Sequence, residues 1–79
     1  MTHYITASVI TRFPKYKEKT YSFLIDADTD TSARGIASGY LVTRRLVYYE
    51  DELFLTSSNT DYYKDEIAEL EKSGKIIRL

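Results

Sequence analysis

Two segments near the N-terminus alternate apolar and polar residues with a period of two. Such alternation, with many β-branched and aromatic residues, predicts strands that have one buried and one exposed face. Pro14 cannot donate to a strand ladder, so the first strand must end there, and the polar stretch 14–19 predicts a hairpin connection. The alternating apolar positions are Ile5, Ala7, Val9 and Phe13 in the first segment and Tyr21, Phe23 and Ile25 in the second.

The next segment, DADTDTSARGIASGYLVTRR, changes to helical spacing. Its aspartates resemble the start of a calcium loop, but Thr31 and Ala37 stand where that loop needs glycine and glutamate, so we expect no calcium site. We expect Asp30, Thr31 or Ser32 to be the N-cap of a helix. The apolar face of this helix follows the three- and four-residue spacing of a buried stripe: Ala33, Ile36, Ala37, Tyr40 and Leu41.

Gly35 and Gly39 lie one turn apart on this predicted helix. Each weakens the helix by about 1 kcal/mol relative to alanine, but small residues at this spacing let another backbone approach closely. We expect them to pack against the protein's own sheet, and a partner surface at the same place is the alternative.

The stretch LVYYEDELFLTSS predicts two short strands, near 45–49 and 53–57, that turn at Glu50 and Asp51. No glycine or asparagine marks this turn, so a single bent strand is the alternative. A second helix follows, with Asn59 or Thr60 as its N-cap and a glycine at its end. Its buried stripe is Tyr63, Ile67 and Leu70, and the tail KIIRL predicts an edge strand.

These elements predict a single α+β domain over residues 1–79. A chain of 79 residues has room for one core, and two layers are what it can build. We expect a mainly antiparallel sheet in the order β-β-α-β-β-α-β, with the two helices covering one face. An exposed sheet edge would allow pairing with a second copy, giving a homodimer.

The sequences YYEDE, at 48–52, and YYKDE, at 62–66, place doubled tyrosines beside acids. In a strand or in a helix, only one tyrosine of each pair can reach the core. Tyrosine is enriched in binding interfaces, so the tyrosine of each pair that stays outside the core predicts a surface that binds a partner protein. The neighbouring acids favour a basic partner. The predicted partner-binding residues are Tyr49, Glu50, Asp51, Tyr62, Asp65 and Glu66.

The inventory of reactive side chains favours binding over catalysis. The chain has no cysteine and one histidine, His3, which excludes a nucleophilic triad and a zinc site. We expect no enzyme activity, no catalytic residue, no cofactor and no metal. The N-terminus lacks signal-peptide features and no apolar stretch reaches the ~20 residues of a membrane span, so we expect a cytoplasmic protein without a membrane partner.

Charge is unevenly distributed along the chain. Residues 1–46 hold seven basic and four acidic residues, whereas residues 47–79 hold four basic and eight acidic ones. A basic patch in the first half is therefore an alternative, nucleic-acid-binding surface, because phosphate contacts dominate such affinity. The net charge of −1 makes nucleic acid the less favoured partner. The residues of this patch would be Lys15, Tyr16, Lys17, Lys19, Arg44 and Arg45.

Residues 32–38 read SARGIAS on the first predicted helix, and the first strand contains HYIT. This combination resembles small proteins of phages and mobile elements, including some anti-CRISPR proteins, in which a strand precedes a helix with a similar Ala-x-x-Ile-Ala-Ser run. The resemblance implies an inhibitor that occupies the surface of a host or defence protein, and it assigns no functional residue.

Overall fold

The structure is a computed structural model that covers residues 1–79. One four-stranded sheet, in the order β3-β1-β2-β4, and two helices make the predicted α+β class. A single strand, not two, lies between the helices. The elements are β1 (Thr2–Thr11), β2 (Lys17–Asp26), α1 (Asp30–Thr43), β3 (Glu52–Ser58), α2 (Lys64–Lys72) and β4 (Ile76–Arg78).

The predicted hairpin is formed by β1 and β2, which pair antiparallel over ten residues each. Ile5, Ala7 and Val9 are buried on one face of the sheet, as the alternation predicts. Phe13 is 85% exposed, because it lies past the end of β1 in the hairpin connection. Tyr4 is buried although it belongs to the opposite face, so both faces of the sheet carry a core.

Strand direction determines where the helices lie. β2 and β3 both run antiparallel to β1, and β4 runs parallel to β2. The chain therefore crosses β1 in one direction through α1 and returns across β1 and β2 through α2. Parallel crossovers are nearly always right-handed, so two crossovers in opposite directions must use opposite faces. The prediction that both helices cover one face, in two layers around one core, is wrong, because these crossovers put α1 and α2 on opposite faces, each over a core of its own.

The helix α1 packs on the face of the sheet that holds the odd-numbered residues of β1. Ala33, Ala37 and Leu41 from its predicted stripe are fully buried. Tyr40 is half-buried and stacks edge-on against the ring of Phe23, with ring centroids 5.6 Å apart. The predicted buried stripe of α1 is therefore confirmed at these positions, although Ile36 at its edge is exposed.

The two glycines of α1 face solvent. Apart from its chain neighbours and the backbone of α1, a Cβ atom added at Gly35 or Gly39 would meet no atom within 4 Å. The expected close packing of these glycines on the sheet is wrong, because the alanines of the same helix make that approach instead.

The helix α2 closes a smaller core on the opposite face. Ile67 packs with Tyr4 and Leu24, and the half-buried Leu70 lies beside them. This core covers only one end of the face, because Phe54, farther along β3, remains exposed. The edge strand predicted for the tail is present as β4, which pairs with β2.

Both helices end in a Schellman motif, in which one residue adopts a left-handed conformation. Gly74 occupies that position after α2, with φ of 70°. After α1 the same position is held by Arg45, with φ of 57°, and the N–H of Leu46 bonds to the carbonyl of Leu41. The chain turns sharply here, so the predicted strand at 45–49 is absent, and residues 44–51 form an irregular loop.

Both helices begin at residues other than those expected. Thr29 is the N-cap of α1, and its hydroxyl accepts a 3.1 Å hydrogen bond from the N–H of Ser32. The side chain of Asn59 accepts from N–H groups two and three residues later, but this caps only a turn before α2, which begins at Lys64. The predicted caps at 30–32 and at Asn59 are therefore wrong by a few residues.

We expect Leu41→Ala to lower the free energy of unfolding by about 2–5 kcal/mol, because it leaves a cavity between α1 and the sheet. The neighbouring Val42→Ala removes an exposed side chain and should change this free energy by about 0.5 kcal/mol or less. Urea titrations of both variants measure the difference. Equal losses in the two variants would contradict the observed orientation of α1.

Candidate functional site

The strand β3 separates the two tyrosine-rich motifs. Residues 48–52 lead into its start, beside Ile10 of β1, and residues 62–66 follow its end, beside Tyr4. The seven residues of β3 place the motifs about 20 Å apart, at opposite ends of the sheet. The predicted partner-binding residues therefore form two separate groups: Tyr49, Glu50 and Asp51 in one, and Tyr62, Asp65 and Glu66 in the other.

Asp51 holds the first motif against the hairpin. Its Oδ1 accepts a 2.9 Å hydrogen bond from the hydroxyl of Thr11, and its Oδ2 accepts one of 2.9 Å from the backbone N–H of Tyr48. Next to it, Glu52 forms a salt bridge with Arg12, with 2.6 Å between Oε1 and Nε. These two acids are occupied within the fold, so they contribute little to attracting a basic partner.

These contacts gather exposed aromatic rings at one end of the sheet. Tyr49 is 97% exposed, and Tyr16 and Tyr48 are each 62% exposed. Phe13, in the hairpin connection, borders a small pocket together with Glu50. We call this end of the molecule the hairpin-end surface; its members are Phe13, Lys15, Tyr16, Tyr48, Tyr49 and Glu50.

Sequence reasoning missed two members of the hairpin-end surface. Phe13 was expected in the core because it continued the alternation of the first strand, and Tyr48 was placed in a strand that is absent. Pro14 was a usable signal for Phe13, since a residue at the end of a ladder need not keep its alternation.

A cleft of about 220 Å³ lies between this surface and the end of α1. Lys17, Lys19 and Arg45 line it, and none of them forms a salt bridge. Lys17 and Lys19 face α1 because they pair with odd-numbered residues of β1, and the Schellman motif places Arg45 opposite them. We call this the cationic cleft; its other lining residues are Val9, Thr11, Tyr21, Leu46, Tyr48 and Asp51.

The other residues of the predicted basic patch lie outside the cationic cleft. The Arg44 guanidinium stacks on the ring of Tyr40, with its Cζ 4.3 Å from the ring centroid, a cation–π contact. Lys15 and Tyr16 lie in the exposed hairpin connection. The structure thus brings three residues of the predicted basic patch, Lys17, Lys19 and Arg45, into one cleft. Tyr48 and Asp51 of the first tyrosine motif line the same cleft.

Part of the second tyrosine motif packs against the core. The hydroxyl of Tyr4 donates a 2.9 Å hydrogen bond to Oε2 of Glu66. Tyr63 stacks between the rings of Tyr4 and Tyr62, while Tyr62 itself is 80% exposed. Burial, together with the hydrogen bond to the Glu66 carboxylate, raises the pKa of Tyr4 above its usual value of 10.0. In this group, only the side chains of Tyr62 and Asp65 form no hydrogen bond.

Comparison with protein-family models, with curated proteins and with solved structures finds no match. Neither helix of the structure is long and apolar enough to span a membrane. The hairpin-end surface and the cationic cleft are therefore the features that bear on function.

We expect Tyr4→Phe to lower the free energy of unfolding by about 1 kcal/mol at neutral pH, because it removes the bond to Glu66. The raised pKa means that the native state holds this proton more tightly than the unfolded state. The stabilisation is complete below pH 10.0 and is lost as the pH rises through the raised value.

Denaturant titrations between neutral pH and strongly alkaline pH measure the difference between wild type and Tyr4→Phe. This difference should shrink at alkaline pH, whereas the difference for Tyr62→Phe, which removes an exposed hydroxyl, should stay small throughout. A constant Tyr4→Phe difference would show that its phenol does not titrate with folding.

Proposed function

We propose that this protein is a non-enzymatic binding protein that engages a partner protein through the hairpin-end surface. The exposure of Phe13, Tyr16, Tyr48 and Tyr49 at one end of the sheet is the observation that supports this proposal. Exposed apolar surface concentrated in one place is typical of interaction sites. Aromatic anchors also supply much of the binding energy of protein interfaces.

The charges beside these rings favour an acidic partner surface. Asp51 and Glu52 have partners within the fold, so Glu50 is the one acid of residues 48–52 without a side-chain partner, against the three lysines Lys15, Lys17 and Lys19, which form no salt bridge. A partner with exposed carboxylates would be steered toward these cations and would then bury the rings. This proposal replaces the basic partner suggested by the motif acids. Inhibition of a host or defence protein, as the resemblance to anti-CRISPR proteins implies, is one form that such binding would take.

Variants at the two ends of the sheet provide the test. We expect Phe13→Ala combined with Tyr49→Ala to weaken partner binding at least about thirtyfold through faster dissociation, because a single interface anchor contributes about 2 kcal/mol. Tyr62→Ala is the matched control, since it removes an equally exposed ring about 20 Å away. Capture from nuclease-treated lysate identifies the partner, and surface plasmon resonance measures the dissociation rates.

Thermal melts establish that the double variant and Tyr62→Ala are both folded. Loss of binding in Tyr62→Ala alone would move the interface to the second tyrosine motif. Capture from untreated lysate that is lost after nuclease treatment would instead support the second candidate function.

That candidate is binding of single-stranded nucleic acid, favoured by the convergence of three unpaired cations beside exposed rings. Three phosphate contacts would make the logarithm of affinity fall with the logarithm of salt with a slope of about −2. Removing a stacking ring in Tyr16→Ala would cost about 1–3 kcal/mol. Fluorescence anisotropy with a labelled oligonucleotide over a salt series measures both effects. Affinity that is absent, or insensitive to salt, excludes this candidate.

A further inference from the structure

Arg45 occupies a backbone position that the same chain fills with glycine elsewhere. The two Schellman motifs are equivalent: the N–H of Lys75 bonds to the carbonyl of Leu70 after α2, as that of Leu46 does to Leu41 after α1. The left-handed conformation crowds any residue that has a Cβ atom, which is why glycine is the usual choice. An arginine with φ of 57° therefore stands where helix termination alone would favour glycine.

The side chain of Arg45 has a role that a glycine at the same position could not fill. Its side chain lines the cationic cleft, opposite Lys17 and Lys19 on β2. A glycine would end the helix equally well but would leave the cleft with two cations. Residues in unfavourable backbone conformations persist only where the surrounding structure holds them, and they cluster at active sites and ligand-binding sites.

The balance of charge indicates what the cleft would accept. Three cations face one carboxylate, Asp51, whose two oxygens already accept hydrogen bonds from Thr11 and from the backbone of Tyr48. The formal net charge of the lining is therefore +2, from three basic residues and one acidic residue. A phosphate monoester carries about −1.5 to −2 at neutral pH and offers three acceptor oxygens, which matches that charge.

We propose that the cationic cleft is a binding site for the phosphate group of a phosphorylated ligand. Its volume of about 220 Å³ is below the range of about 300–1,000 Å³ that is typical of sites for whole drug-sized ligands, so a small anionic group fits it best. Arg45 would bind two phosphate oxygens through its planar guanidinium, and the lysines would supply point charges. This site shares Tyr48, Lys17 and Lys19 with the features used in the proposed protein interface, but neither Phe13 nor Tyr49 lines it, so it goes beyond that interface.

Titration of the ¹⁵N-labelled protein with inorganic phosphate tests the site. Amide signals from Lys17, Lys19 and residues 45–51 should shift and saturate at constant ionic strength. Sodium chloride at matched ionic strength should not produce the same saturable shifts. Shifts that are scattered over the surface, or that rise linearly with both salts, would overturn the proposal.

Two variants separate binding from folding. Arg45→Gly should weaken phosphate binding at least about tenfold while leaving the thermal midpoint unchanged or higher, because glycine suits the left-handed position. Lys17→Gln combined with Lys19→Gln should abolish saturable binding. Lys75→Gln, which removes an exposed lysine outside the cleft, is the matched control and should bind phosphate as the wild type does. Equal binding by all of these proteins would also overturn the proposal.

The phosphate group could belong to a small phosphate ester or to a phosphorylated protein side chain. Titrations with glycerol phosphate and with a phosphoserine peptide distinguish these sources, with the unphosphorylated peptide as control. Tighter binding of the phosphopeptide assigns the site to a modified partner, and equal binding of both esters assigns it to the phosphate group alone. Equal binding of the phosphorylated and unphosphorylated peptides contradicts the proposal.

Discussion

The antiparallel pairing of β1 with a strand on each side is the constraint on which the rest of the structure depends. Because β2 and β3 flank the same strand and run in the same direction, the connection between them must cross β1. The return to β4 must cross the sheet again in the opposite direction, which sends α2 to the other face. The same pairing places the loop after α1 beside the hairpin connection, so the aromatic rings and the cationic cleft lie together at one end.

The local elements could be predicted from the sequence wherever a single periodicity governed them. The buried positions at Ile5 and Phe23 and the stripe containing Ala33 and Leu41 are confirmed, because they pack together on one face of the sheet. The expected exposed face of the two strands is wrong at Tyr4 and Leu24, which α2 covers. The strand at 45–49 could not be excluded from its residues, because valine and tyrosine favour strands. The left-handed conformation of Arg45 excludes a strand there, and the type of side chain does not predict that conformation.

The candidate site was predictable only in parts. Lys17 and Lys19 could be assigned to a basic patch, and Tyr49 to an exposed surface, from composition and periodicity alone. That Tyr48 and the lysines share one cleft depends on pairing between strands distant in sequence, which no local pattern encodes. Likewise, the acids of the two motifs looked equally available, but Asp51 and Glu66 each accept a hydrogen bond from the core strand β1.

The glycines of α1 have a consequence for local stability. Gly35 and Gly39 face solvent, where a larger residue would not clash. Each lowers helix stability by about 1 kcal/mol relative to alanine. The final turns of α1 are therefore held mainly by the tertiary contacts of the buried Leu41 and of Tyr40, which packs on Phe23. Opening them breaks the hydrogen bond from Leu46 to Leu41 and removes Arg45 from the cleft. A phosphate held by Arg45, as proposed, would therefore slow amide hydrogen exchange at the end of α1, because binding and local opening are thermodynamically linked.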